Sequence, residues 1–199
     1  MAIRRICKYG EKILEKKTRK VNFGELKKEL PALLADMFET MEAVGGAGLA
    51  ANQIGLDLRL AIIKINREDE PPLSIVIINP EIAEKQGSMY DEEGCLSFPG
   101  LFAKVRRAAK VKVRALNEKG LPIEVNAEGL FAKALQHEID HLDGVVFITR
   151  LPLMSRLRLK PALMKLKARW KKIDETRMKP VTGTAMAAES RKAKEGNRT

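Results

Sequence analysis

Histidine is nearly missing from this chain of 199 residues: it has two, His137 and His141. Chemistry that needs imidazoles at several separate places is thereby excluded. Cysteine is as scarce, with Cys7 and Cys95 alone, too few for a disulfide framework. No apolar run reaches the ~18–20 residues that span a bilayer, so no membrane association is expected. Behind Arg4 and Arg5 there is no long apolar stretch and no small-residue cleavage site. No secretory signal is read there, and the cytoplasm is the expected compartment. Aromatic residues make up 5%, and Trp170 is the single one in the last quarter. That quarter therefore lacks the aromatic interleaving of a sequence-specific nucleic-acid binder.

Charge is present but uneven. The net +11 comes wholly from residues 150–199, with 15 Lys+Arg against 4 Asp+Glu. Residues 1–149 carry 22 of each sign and cancel. A neutral body thus precedes a basic C-terminal segment.

Residues 11–20 read as a short polar helical turn. Leu33, Leu34, Met37, Phe38 and Met41 recur at helical spacing and predict a helix over Leu30 to Ala43. Pro31 is tolerable in its first turn, and Gly45-Gly46 end it. β-Branched content then rises, predicting strands over Leu58 to Lys64, Ser74 to Ile78, Val111 to Leu116 and Pro122 to Val125. Asn117 to Gly120 reads as a hairpin turn, and Glu68 to Pro72 as a surface loop. A second helix is expected from Gly129 to Leu142, stopped by Gly144. Its first half (Leu130, Phe131, Ala132, Ala134, Leu135) is apolar almost all round, as in a buried helix. A third, amphipathic and basic, should run from Pro152 to Lys172. The fold class expected is α+β: antiparallel β-sheets around a buried central helix, with a C-terminal basic helix. Residues 1–172 should form one domain and 173–199 a flexible basic tail.

The central helix carries both histidines, in His137-Glu138-Ile139-Asp140-His141. Residues four apart share a helical face, so the two imidazoles can reach one metal ion. Glu138, on a neighbouring face, is placed to work on water bound to that ion. A catalytic metal site needs three protein ligands and an open position. No histidine remains for the third. Asp143 is too close in sequence, and Asp174, Glu175, Glu189 and Glu195 lie in the basic segment. Cys7, beside Ile3 and Ile6, reads as a small buried apolar residue. Cys95, in Glu93-Gly94-Cys95-Leu96-Ser97, would complete a His2Cys tetrahedron with one vacancy. Asp140 is open between orienting a ligand imidazole and pairing with Arg106 or Arg107.

Three motifs now stand in order: Gly46-Ala47-Gly48-Leu49-Ala50-Ala51-Asn52-Gln53, Glu93-Gly94-Cys95-Leu96-Ser97, and Gln136-His137-Glu138-Ile139-Asp140-His141-Leu142-Asp143-Gly144. In register, they resemble the signature motifs of peptide deformylases of the compact bacterial type. Ala47 departs from the branched residue common there, and Phe102 stands where some members carry arginine. Both are expected to alter which peptide side chains are preferred.

The resemblance implies hydrolysis of the formyl group from the N-formylmethionine of nascent polypeptides, releasing formate. It implies Cys95, His137 and His141 as metal ligands and Glu138 as general base and acid. The Gln53 side-chain amide and the Leu96 N–H would stabilise charge on the carbonyl oxygen. Backbone near Ala47, Gly48 and Gly94 would pair with the extended peptide. A methionine pocket is expected along Leu130, Lys133, Ala134 and His137. The donor set suits one divalent ion: Fe2+ in the cell by family resemblance, with Zn2+, Ni2+ or Co2+ able to substitute. The basic helix is expected to contact the ribosome. Two alternatives stay open: an H-E-x-x-H metallopeptidase, and a ribosome- or RNA-binding module with a structural metal.

Overall fold

The computed structural model describes residues 2–67 and 70–178, the last seven of these by backbone alone. A 3-10 turn, Lys12–Glu15, precedes helices α1 (Phe23–Leu26) and α2 (Leu30–Ala43). Strand β1 (Gly48–Ala50) leads through a second 3-10 turn, Ala51–Ile54, to β2 (Leu60–Arg67) and β3 (Glu70–Gln86). Then come β4 (Met89–Gly94), β5 (Phe102–Arg107), β6 (Lys110–Leu116) and β7 (Pro122–Glu128). Helix α3 (Gly129–Leu142), a third 3-10 turn (Phe147–Arg150) and helix α4 (Leu153–Met178) complete the described chain. The fold is α+β with antiparallel sheets: five strands in the order β1-β2-β3-β6-β7, and a separate β4–β5 ribbon.

The apolar run in β2 is continuous because the strand is covered on both faces. Ala61, Ile63 and Ile65 pack with Leu135, Ile139 and Leu142 of α3. Leu60 and Ile62 pack with Met37 and Met41 of α2. A third cluster joins Cys7, Phe98, Val105, Phe147, Leu151 and Leu163. Helix α2 has the bounds that its periodicity, Pro31 and Gly45-Gly46 predict. The burial of α3 meets expectation only in part: Ala132 and Leu135 of its first half are buried, but its first turn is not. Leu130 is 52% exposed, whereas Leu135, Glu138, Ile139, His141 and Leu142 are buried. The half carrying the histidines is the one enclosed by sheet.

Strand β3 extends far beyond Ser74 to Ile78, because its first half pairs with β2 and its second with β6. Glu70, Pro71 and Pro72, expected in a loop, belong to it; Glu68 and Asp69 lie outside the described residues. The prolines coincide with a break in register against β2, between Ile65 and Arg67, where missing N–H groups cost little. Pro80 sits at a second irregularity beside Asn79, whose φ is 53°.

Residues Met1–Lys167 form one compact unit; a second begins at Ala168, within α4, and is described only to Met178. Of the tail expected over 173–199, residues 179–199 lie outside the described residues. Among the described residues no helix is long and apolar enough to cross a membrane.

Helix α3 ends in a Schellman motif: the Val145 N–H donates to Asp140 O (2.8 Å) and the Gly144 N–H to His141 O (3.1 Å). Its Leu142 carbonyl also accepts from the Thr18 N–H and hydroxyl and from buried Arg59, a cation at a helix C-terminus. Gly144 has φ +72°, and a Cβ there would lie 2.7–2.8 Å from backbone atoms of Glu15, Lys16 and Lys17. Gly100 has a similar φ, +76°, with open space beside it. Gly100→Ala should therefore cost only the left-handed strain, about 1–2 kcal/mol. Gly144→Ala should cost a further ~1–3 kcal/mol for the clash. Denaturant melts of the two variants measure the difference; equal losses would mean that the 15–17 segment does not press on this turn.

Candidate metal centre

One turn of α3 separates His137 from His141, and their rings meet edge to face with centroids 4.9 Å apart. Cys95 reaches them from the end of β4, in a turn closed by the Phe98 N–H donating to the Cys95 carbonyl (2.8 Å). Its Sγ lies 3.1 Å from His141 Nε2. One donor atom from each of Cys95, His137 and His141 falls within 4.8 Å of the other two. Cys7 is not one of these donors; it is buried in the third cluster, and burial pushes its thiol up to about 11.

The surroundings set the charge on these donors. Burial would raise the Cys95 thiol, but the charge of His141 and hydrogen bonds from both histidines hold it well below its ordinary value. A thiolate is the metal-binding form of cysteine. His137 Nδ1 lies 3.1 Å from Glu93 Oε2. Burial opposes the charged form of Glu93, yet the Arg107 guanidinium and His137 bring its carboxyl down to about 2. A permanent carboxylate there holds Nδ1–H and leaves Nε2 of His137 free to ligate.

Arg107 forks onto both oxygens of Glu93 (2.7 and 2.9 Å) and turns its third nitrogen to Asp140 (2.5 Å). Asp140 also accepts two bonds from Arg150. Of the two options for Asp140, the pairing with Arg107 is present; Arg106 instead contacts Ser88. Arg107 was named from the sequence only as one of two candidate partners of Asp140; its fork onto Glu93, the roles of Glu93 and Arg150, and the link they make were not identified there. Only the position of Glu93, two residues before Cys95, hinted at a role.

Gln53 stands against the same sulfur. Its Oε1 accepts from the Ala50 N–H (2.8 Å), so its amide nitrogen must face the other way. That nitrogen lies 3.6 Å from Cys95 Sγ and 3.3 Å from Ser97 Oγ. Glu138 is buried, and burial pushes its carboxyl up to about 7. Gly48 leaves the room it occupies: a Cβ there would collide with the Glu138 carboxylate. A cavity of about 560 Å³ opens beside these groups. Ala47, Gly48, Gln53, Gly94, Cys95, Leu96, His137 and Glu138 line it, with Leu130, Lys133, Ala134 and Phe102.

Whether a metal ion suits this place follows from the donors themselves. A thiolate and two imidazoles converge, and one imidazole is oriented by a carboxylate. Glu138 Oε2 is buried with no hydrogen-bond partner among the described residues. The set fits a divalent cation.

Fold and site together define a hydrolase with a Cys-His-His group that could hold a metal. Residues 3–157 match the family described as polypeptide deformylase. The chain is 49% identical over 175 residues to a peptide deformylase of Elusimicrobium minutum, covering 85% of this chain and 99% of that one. It is 51% identical over 150 residues to that of Aquifex aeolicus, covering 75% and 88%. The peptide deformylase structure from Legionella pneumophila superposes with a TM-score of 0.75 at 40% identity, covering 90% of this chain and all of that one. The chain belongs to the peptide deformylase family. Its activity is removal of the formyl group from N-formylmethionine, and the metallopeptidase and non-enzymatic readings give way to that.

Glu93 also sets an acid limit. Its folded value, about 2, lies below the ordinary 4.5, so its contribution to stability is full above pH 4.5 and lost as pH falls toward 2. Denaturant midpoints of metal-free protein should fall across that window, and less steeply in Glu93→Gln. Parallel pH profiles for the two proteins would refute the assignment.

Proposed function

We propose that Cys95, His137 and His141 hold one divalent ion, and that Glu138, Gln53 and Leu96 carry the deformylation of nascent polypeptides around it. The observation that carries this reading is the convergence of one sulfur and two ring nitrogens beside a buried, unpartnered carboxylate oxygen. Fe2+ is the ion proposed in the cell, with Zn2+, Ni2+ or Co2+ serving in preparations. When bound, such an ion supplies Lewis acidity, making hydroxide available near neutral pH and polarising a carbonyl.

The chain's own groups do the rest. Glu138 takes the proton of the attacking water and delivers it to the departing amine nitrogen, so that formate leaves. Burial keeps a proton on this carboxylate close to neutral pH, and a neighbouring cation would draw its value back down. The Gln53 amide nitrogen and the Leu96 N–H donate to the oxygen on which charge collects, already in place before the reaction. Ala47, Gly48 and Gly94 present backbone to an extended peptide, and their small or missing side chains permit that approach. Leu130, the Lys133 stem, Ala134 and His137 form the wall for the methionine side chain. Lys133 is steadied by an ion pair to Asp91 and a bond to the Glu92 carbonyl.

The buried half of α3 acts as the central scaffold of this machinery. The enzyme works in the cytoplasm, and the basic helix docks it on the ribosome. Between Arg150 and Lys172 there is no acidic residue, and Arg156, Arg158, Lys160, Lys165 and Lys167 are exposed. Reversing Arg156, Arg158 and Lys160 to glutamate should abolish salt-sensitive co-sedimentation with ribosomes and leave formate release intact. Unchanged co-sedimentation would refute the docking role.

Glu138→Gln should keep its metal and lose about 10²–10⁴-fold in kcat. Cys95→Ser should lose metal and activity together. Formate release from a formylmethionyl peptide, with metal content measured on the same samples, tests both. A fully active Cys95→Ser protein, or a Glu138→Gln protein at wild-type rate, would contradict the assignment.

A further inference from the structure

The N-terminal segment crosses behind both oxyanion donors proposed above and bonds to each in turn. The Cys7 N–H donates to the Gln53 carbonyl (2.7 Å), and the Tyr9 N–H to the Ser97 carbonyl (3.0 Å). Between them Lys8 sends its ammonium to the Leu96 carbonyl, at 2.8 Å and across 88 residues of sequence. The three carbonyls of the Cys95–Ser97 turn are then all engaged: Cys95 by the Phe98 N–H, Leu96 by Lys8, Ser97 by Tyr9. The Gln53 side chain spans the same gap from the other side, toward Cys95 and Ser97.

We propose that Lys8 is a positioning residue for deformylation: its ammonium fixes the Leu96 peptide so that the Leu96 N–H and the Gln53 amide aim at one point. The proposal rests on the oxyanion roles given to Gln53 and Leu96. Lys8 lines the cavity and its charge is also felt at Cys95, but its ammonium is bonded to the enzyme's own backbone, and through that bond it acts on Leu96. Two of the three strap bonds come from backbone N–H groups that almost any residue supplies. The third requires a long cationic side chain at position 8. A charge-assisted donor is the stronger kind of bond, and this one is half-buried, where such a bond gains strength. Loss of that donor leaves the Leu96 carbonyl unpartnered at the cavity edge and frees the turn to tilt. Preorganised donors are sensitive to small displacements: a misplacement of ~1 Å can cost about 10²-fold in rate.

The test is steady-state kinetics of formate release by metal-loaded Lys8→Met, Lys8→Arg and Gln53→Ala beside the wild-type enzyme. Lys8→Met should lose about 10- to 100-fold in kcat, with KM within about 3-fold and metal content unchanged. Lys8→Arg, which keeps a cationic donor, should recover to within about 3-fold of wild type. Wild-type kcat in Lys8→Met, equal losses in both Lys8 variants, a change confined to KM, or loss of metal would each overturn the proposal. Gln53→Ala separates the two levels. Its expected ~10²–10³-fold loss, with Lys8→Met unaffected, removes Lys8 alone; no loss in Gln53→Ala removes the oxyanion reading on which Lys8 depends.

Discussion

A guanidinium buried between two carboxylates holds this site together. Arg107, on β5, bonds Glu93 on β4 and Asp140 on α3. Those are the two elements that bring Cys95 and the histidines to one another. All three charges are buried, and taking them from water costs several kcal/mol per ion. Their mutual pairing, with Arg150 adding two bonds to Asp140, offsets that cost. Ribbon and helix are joined by directional bonds that apolar contact would not supply. Glu93 then serves twice, anchoring Arg107 and fixing the ring of His137.

Around that link the packing is asymmetric. Helix α3 is enclosed by the main sheet along its motif-bearing half and opens onto the cavity at Leu130. Both histidines therefore stand on the packed half of the helix, and the cavity opens beside its first turn. Glycines mark where backbones must approach: Gly48 clears the Glu138 carboxylate, and Gly94 lies under the ring of Phe102. At the other end of α3, the Schellman turn at Gly144 and the buried Arg59 cation fix the helix terminus just beyond His141.

Much of this was legible in the sequence. Helix α2 could be bounded because Pro31, Gly45-Gly46 and a 3.6-residue repeat point to the same ends, and α3 because Gly144 stops it. Cys95, His137 and His141 could be grouped because so few alternative donors exist. The β4–β5 ribbon was not visible: Met89 to Glu93 is acidic and mostly exposed, without the alternation that marks a half-buried strand. The length of β3 was hidden in the same way, since Glu81, Glu84 and Lys85 sit on an exposed stretch beside β6. Of the Glu93–Arg107–Asp140 link, the sequence offered only the choice between Arg106 and Arg107 for Asp140 and the nearness of Glu93 to Cys95. Its partners lie 14 and 33 residues apart, and an arginine such as Arg107 looks in sequence like Arg106 next to it.

Three side chains sharing one cation are what all the rest requires, and X-ray absorption at the metal edge of purified, metal-loaded protein addresses that directly. With zinc loaded, one sulfur at ~2.3 Å and two imidazole nitrogens at ~2.0–2.1 Å are predicted, with the sulfur shell lost in a Cys95→Ala protein. A shell of oxygens and nitrogens without sulfur would contradict that arrangement.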